Sequence, residues 1–570
     1  MLDWSYGLLS EGERAMLTAV CVFAGVFDID GASDVSGLDA SDTSEVLAQL
    51  AAKSLLATDL DAEGVAYRFL ETTRAYCLER LLATGEAETV YRRHAEHVCK
   101  VLDRAAKEWV QRPALEWGQS YARTLDDLRN ALAWAERDER NRMLAVRLTV
   151  AGTLIWNHFS LTSESRSRVS KAIEHLDTLG LAGTAAEMQL QLSLAGTTLF
   201  ARGLTPVARD AMRRALDIAV RLDDAEYHLR SLRMIGVYEL FVGEHKGALQ
   251  TLEAFAAVAA AKDPSSLVDG EAHLSLAEIY AGRLRRPRQR LERLYQHESL
   301  DFKDPRFVRF LYDRNVDFGN VLSNVQWLTG APDTAMRTAE ATVQWALKIN
   351  HGLSLSNALA VAACPVAFWS GQYQEASRYV AMLEDQVNQH GIVMWRPTAA
   401  FYRGAIACAT SDDPSDGIKA IRSAIAEFAS INHMSRMPFI LGELASALVK
   451  CGRLDEAAET ISSAIDRARA QGDVWCVPEL LRIQAAVLAS EGHSEQAESS
   501  LSESISLAKQ IDALSWHMRS ANDLATLWLR QSRTREAREL VKTVHCKFVE
   551  GFESQDLKRA DHLLALTDSR

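Results

Sequence analysis

Residues 452–461, 492–501 and 532–541 read GRLDEAAETI, GHSEQAESSL and SRTREARELV, and they align without a gap. Each has alanine at its sixth place, Ala457, Ala497 and Ala537, spaced 40 residues apart both times. A fixed period of this size is the signature of a repeat architecture. The same anchor can be followed upstream through Gly417, Ala376, Ala335, Pro287, Ala248, Ala208 and Ser165, at intervals of 39 to 48 residues. Four places after each anchor stands Val169, Met212, Leu252, Leu291, Ala339, Val380, Ile421, Ile461, Leu501 or Val541, all of them apolar. Residues four apart share a helical face, and Leu216, Ile425, Ile465 and Ile505 extend the stripe. A small anchor lets a second helix approach closely. The runs Leu229–Phe241 and Leu480–Ala489 supply such helices ahead of their anchors. Each unit is then a helix–turn–helix hairpin that cannot bury both faces alone, so the units must stack. The expected fold is all-α, a solenoid of hairpins resembling tetratricopeptide (TPR) repeats, with a period near 40. The longest interval, 48 residues between Pro287 and Ala335, marks an insertion around 297–310.

Composition agrees with stacked hairpins. The 570 residues include only 30 Gly and 11 Pro, too few for a many-stranded or disordered chain, and 48% are hydrophobic. Eight cysteines stand without a CxxC pair, mostly in apolar helical stretches, and read as reduced core residues. The N-terminus has no basic segment followed by an apolar run, and the longest apolar stretch, Ala358–Trp369, is short and holds Pro365. A bilayer span needs about 20 apolar residues, so a cytoplasmic location is expected.

The first 90 residues follow another pattern. They hold 16 acidic and 5 basic residues, which gives this segment −11 of the chain's net −13. Ser10 and Glu13 form a capping box opening a helix through Leu17, Val20 and Phe23. A short helix near 29–35 and a third from Asp42 or Thr43 over 46–55 follow. SLLATDL, the turn DAEG and VAYRFLE predict a β-hairpin, and a helix over 72–82 ends at Gly85. Three helices and a hairpin are in winged-helix order. The third helix has Lys53 as its only base and carries Asp42 and Glu45 near its start. An acidic face is repelled by phosphate, so direct nucleic-acid binding is not expected. The domain expectation is a winged helix over 1–90, a helical linker over 91–140 and the repeats over 141–570.

Several stretches resemble one family. LDWSYGLLSEGERAMLTAVCVFAGVFDIDGA (2–32), VLAQLAAKSLL (46–56) and YRFLETTRAYCLERLLATGE (67–86) are similar to the winged-helix segment of STAND-type signal-transduction NTPase regulators. YRRHAEHVCKVLD (91–103) and LDDLRNALAWA (125–135) resemble the linker that follows it. Residues 515–567, beginning SWHMRSANDLATLWLRQ, resemble the closing repeat, and GDVWCVPELLRIQAAVL (472–488) resembles a middle one. In such regulators an output module precedes a P-loop NTPase, a winged helix and a helical-repeat sensor. No GxxxxGK[ST] occurs in the chain, so the phosphate cradle of a P-loop is absent from the sequence. The resemblance implies the sensor half alone, beginning where the family's NTPase ends.

Candidate sites are few. His94 and His97, near Cys99, lack a third and fourth ligand for metal. No GxSxG, HExxH or other nucleophile grouping occurs, and neither enzymatic activity nor a cofactor is expected. Six arginines crowd residues 282–293, of which Arg283, Arg285, Arg286 and Arg288 are candidates for an anion or acidic partner. Trp369, Trp395 and Trp475 fall in or beside repeat helices. Trp395 with the adjacent Arg396, and Trp475 near Asp473, are candidates for lining a ligand groove. The expected function is a regulatory module that recognises a protein partner, such as a P-loop NTPase or output module, or a small effector. The alternatives are a DNA-binding winged-helix factor and a repeat scaffold without a signalling NTPase.

Overall fold

The computed structural model describes residues 2–61, 64–109, 112, 114–298 and 312–568. The chain divides into two compact units at Ser193–Leu194, inside the helix Ala185–Arg202. The predicted insertion at 297–310 lies almost wholly outside the described residues.

The first unit opens with α1 (Leu2–Gly7), α2 (Glu11–Val20), β1 (Val26–Phe27), α3 (Ile29–Ser36), α4 (Ala40–Ala52), β2 (Leu56–Asp61), β3 (Gly64–Phe69), α5 (Glu71–Thr84) and α6 (Ala87–Glu108). The capping box forms: Ser10 N donates to Glu13 Oε2 at 2.8 Å, and Glu13 N to Ser10 Oγ at 3.2 Å. The hairpin pairs antiparallel with Asp61 opposite Gly64. Two details differ from the sequence reading. Helix α4 begins earlier, because Asp39 caps it by accepting from Asp42 N at 2.9 Å. A third strand, β1, pairs with β3, too short to leave a period in the sequence. Met16, Leu17, Val20, Leu47, Leu50, Cys77 and Leu81 form the core of this winged helix. Arg74 Nε donates to Phe23 O at 2.7 Å and Asn130 Nδ2 to Val22 O at 2.6 Å. They satisfy carbonyls left open beyond the end of α2, and Asn130 ties α2 to the helix Thr124–Ala135.

A helical hairpin, Arg142–His158 with Thr162–Glu174, also belongs to the first unit. Nine more follow among the described residues, from Ala185–Arg202 with Pro206–Arg221 to Leu514–Arg530 with Thr534–His545, and then the helix Gln555–Asp568. Each of the ten anchors lies in the second helix of its hairpin and is buried, as is each of the ten apolar followers. The fold is therefore the TPR-like helical solenoid, preceded by a winged helix with a small sheet.

The winding of the second unit is tight. Phe241 O accepts from Met434 N and Tyr280 O from Val474 N, each at 2.7 Å. Trp327 O accepts from Ser515 Oγ at 2.5 Å and Trp369 O from Arg519 Nη2 at 2.7 Å. The acceptors end the first helices of successive hairpins, where carbonyls have no partner within the helix. The first three donors stand at the start of first helices five hairpins later. One superhelical turn thus takes about five hairpins, and the next turn seats directly upon it. The inner face is filled: Trp327, Trp369, Phe439, Trp475 and Trp516 are all buried and in mutual contact, with Trp327 and Trp516 ring centres 4.8 Å apart. The apolar run Gly352–Trp369, long enough by composition to cross a membrane, is almost wholly buried inside this unit.

Candidate functional site

Pro365 starts the site. It has no N–H to offer the carbonyl four residues back, which is that of Val361. The helix adjusts through a π-turn over Leu359–Ala363, and such turns recur where a helix serves function. The freed Val361 O accepts from Asn324 Nδ2 at 2.8 Å, and the same nitrogen donates to Asn320 O at 2.7 Å. Fixed in this way, Asn324 Oδ1 accepts from Arg436 Nη2 at 2.8 Å. A proline, an asparagine and an arginine from three different hairpins thus become one arrangement.

Arg436 faces a partly open cavity of about 60 Å³ in the interior of the second unit. Phe241, Trp395, Phe401, Tyr402, Phe428, Phe439 and Ile440 supply apolar wall, and His273, Asp317, Asn320, Asn357, His433 and Arg436 supply polar groups. A mostly apolar cleft with a few convergent polar groups is the usual form of a small-molecule site. Arg436 also lies over Trp369 and Trp475, 5.5 and 5.9 Å from their ring centres, a favourable placement for a cation.

The acidic groups here are held by neighbouring donors. Arg233 Nη2 bonds Asp317 Oδ2 at 2.6 Å, and Asn357 Nδ2 bonds Asp317 Oδ1 at 3.2 Å. Trp345 Nε1 donates to Asp313 Oδ1 at 2.8 Å, and Arg314 pairs with Asp269 at 3.4 Å. Burial pushes the Asp317 carboxyl up to about 7 and that of Asp313 to about 6. Burial lowers His433 to about 4 and His273 well below the usual histidine range, favouring neutral rings. His273 Nδ1 and Asn320 Oδ1 are buried at the cavity with no hydrogen-bond partner among the described residues.

The sequence candidates separate here. Trp395 lines the cavity, T-shaped against Phe241 at 5.7 Å. Arg396 points outward and pairs with Glu427. Trp475 packs in the aromatic interior under Arg436. The arginine cluster disperses on the helix Arg285–Glu298 and the turn before it. Arg283, Arg285 and Arg286 are exposed, and Arg285 stands 3.6 Å from Asp512. Arg288 bonds Glu292 at 2.8 Å and Thr329 Oγ1 at 2.7 Å, while Arg290 pairs with Glu271 and Glu278, each at 2.6 Å. Arg285 and Arg288 border a separate, more polar cleft with Lys509, His517 and Lys547. In the first unit His94 turns to Asp127 at 3.3 Å and His97 to Asp34 at 2.8 Å, so the two rings have different partners. Lys53 Nζ bonds Glu13 Oε1 at 2.5 Å, which ties the only base of α4 to α2. The exposed face of α4 keeps Asp42, Glu45 and Gln49.

A family described as a winged helix-turn-helix domain matches residues 9–82. Over 101 residues the chain is 38% identical to a Mycobacterium tuberculosis protein named "Uncharacterized protein Rv0894", covering 17% of this chain and 26% of that one. Over 166 residues it is 32% identical to the "Putative HTH-type transcriptional regulator Rv0890c" of the same organism, covering 27% of this chain and 18% of that one. The chain thus spans about a quarter or less of the length of these relatives. Among solved structures, a Rap protein complexed with competence and sporulation factor is 12% identical, with TM-score 0.38, over 73% of this chain and 99% of that one. The hetero-tetramer Cut9–Hcn1 of the APC/C is 10% identical, with TM-score 0.47, over 87% and 89%. A STAND protein with a tetratricopeptide repeat sensor from Pyrococcus horikoshii is 13% identical, with TM-score 0.29, over 99% and 66%.

Proposed function

We propose that this chain is the regulatory part of a STAND-type transcriptional or signal-transduction regulator, acting in the cytoplasm without catalysis of its own. Its repeat unit senses a small effector, and the winged helix passes the response to a protein partner, a P-loop NTPase or an output module. The observation that carries this reading is the interior cavity: aromatic walls, a buried arginine and two buried polar atoms without partners, at the place where successive superhelical turns meet. The likeness to a winged helix-turn-helix family and to an HTH-type regulator supports the regulatory setting. The coupling would be a population shift, in which the effector prefers one arrangement of the repeats and thereby biases the contacts of the winged helix.

The test is hydrogen exchange on the full chain, with and without low-molecular-mass fractions of the source cell. The expected outcome is slowed exchange in Arg314–Leu328 and Arg396–Thr410, accompanied by a change in Glu11–Thr84. Protection of the repeats with no change in the winged helix would refute the coupling, and no protection by any fraction would refute the sensor.

A further inference from the structure

The charges around the cavity are not evenly matched. Arg233 is held by Asp317 at 2.6 Å and Arg314 by Asp269 at 3.4 Å. Arg436 has no such carboxylate partner: it bonds the amide oxygen of Asn324 and the hydroxyls of Tyr280 and Tyr402, and lies over the faces of Trp369 and Trp475. Tyr280 and Tyr402 lie beside it as neutral phenols. Asp473 senses its charge, yet burial drives that carboxyl well above the usual carboxylate range and so favours its neutral form. Among the described residues no carboxylate makes an ion pair with Arg436.

A guanidinium taken out of water is costly unless paired. It is also the side chain best shaped to grip a carboxylate through two parallel hydrogen bonds. Asn324 takes one N–H of Arg436 and fixes its plane, and the Tyr280 and Tyr402 hydroxyls take two more, which leaves two of its five N–H groups for a ligand. His273 Nδ1 and Asn320 Oδ1, in the lining of the same cavity, are buried and unpartnered, ready to meet a second polar group. Phe241, Trp395, Phe401 and Phe439 belong to the apolar lining.

We propose that the cavity binds a small organic carboxylate: its anionic group on Arg436, its apolar or aromatic body against Phe241, Trp395 and Phe401, and a hydroxyl or amine toward Asn320 and His273. This deepens the effector reading and rests on it. A bulky or polyanionic ligand does not suit so largely apolar an enclosure.

The test uses the full chain and matched pairs of probes: 4-hydroxyphenylacetate, phenylacetate, indole-3-acetate and octanoate, each against its primary amide, titrated by calorimetry. At least one carboxylate should bind, about tenfold or more tighter than its amide, since charge-assisted bonds are roughly twice as strong as neutral ones. The hydroxyl of 4-hydroxyphenylacetate should tighten it relative to phenylacetate. Arg436→Gln should bring acid and amide to within about twofold of each other, and Arg436→Lys should restore part of the preference. The wild-type acid-to-amide ratio needs no variant, so misfolding of Arg436→Gln does not spoil the test. Amides binding as tightly as acids would overturn the carboxylate preference while leaving the cavity as the effector site. Failure of every acid and amide at about 10 mM, weaker than the millimolar affinities of even poor ligands, would overturn the site itself.

Discussion

At Gly417, the one glycine among the ten anchors, a Cβ would stand 2.4 Å from Cys408 Sγ and 2.7 Å from Gly404 O. The partner helix carries Gly404 at that contact, where a Cβ would in turn stand 2.9 Å from Gly417 O, so the two backbones are in close approach. Gly417→Ala should therefore destabilise the protein by about 1–3 kcal/mol, as overpacking does, although alanine is correct at Ala457 and Ala497. Thermal denaturation checks this. His433 gives a prediction about pH. Its ring is fully buried, and burial brings it to about 4 in the fold, against about 6.5 unfolded. The unfolded chain takes the proton first, so this contribution to stability is complete above pH 6.5 and is lost as pH falls toward 4. The shift corresponds to at most about 3 kcal/mol. Asp317 and Glu443, each raised to about 7, act in the opposite sense, since the fold holds their protons longer. The informative quantity is thus the difference between wild type and His433→Gln. Urea midpoints measured from pH 7.5 to 5 should fall less steeply in the variant, and equal slopes would mean the ring is charged in the fold.

Among elements, α4 tests the DNA alternative. Its only base is spent on Glu13, and its outward face keeps Asp42 and Glu45. Titration of mixed-sequence duplex into the full chain at low salt should show no tight, salt-sensitive binding. A steep loss of binding with added salt would reverse this conclusion. Glu13→Ala should cost about 1–2 kcal/mol through the lost capping box, and the unfolding midpoint of the first unit measures it. The hairpins themselves were legible because their signal is local: a small anchor and an apolar follower four residues apart, ten times over. The hairpin at 56–69 was legible from its alternation and turn. The cap of α4 was misplaced because Asp39 and Asp42 are both good N-caps, and spacing alone does not choose between them. The site was mostly illegible. Trp395 was singled out as an aromatic beside a repeat helix, but Arg436 and His433 lie in a short polar loop, INHMSR (431–436), that looks like ordinary linker. Asn320 and Asn324 sit inside a helix where nothing local marks them. The role of Asn324 comes from Val361, whose carbonyl Pro365 leaves free to accept from it.

For the repeat unit as a whole, the relevant distance is one superhelical turn. Repeat proteins are commonly treated as chains of nearest-neighbour contacts. Here three successive first helices, ending near Phe241, Tyr280 and Trp327, also meet the start of one five hairpins away. The second unit should consequently unfold in a single transition, with tryptophan fluorescence and far-UV circular dichroism coinciding in urea. Separate transitions by the two probes would show that the turns are energetically independent. The same winding sets a schedule during synthesis. Ser515 seals Trp327 from 188 residues downstream. At about 5–20 residues per second, that interval is roughly 10–40 s on the ribosome. For that time the tryptophan-rich inner face of the first turn awaits the segment that covers it. The nascent chain is then a natural client for chaperones, and a chain truncated near residue 430 should aggregate.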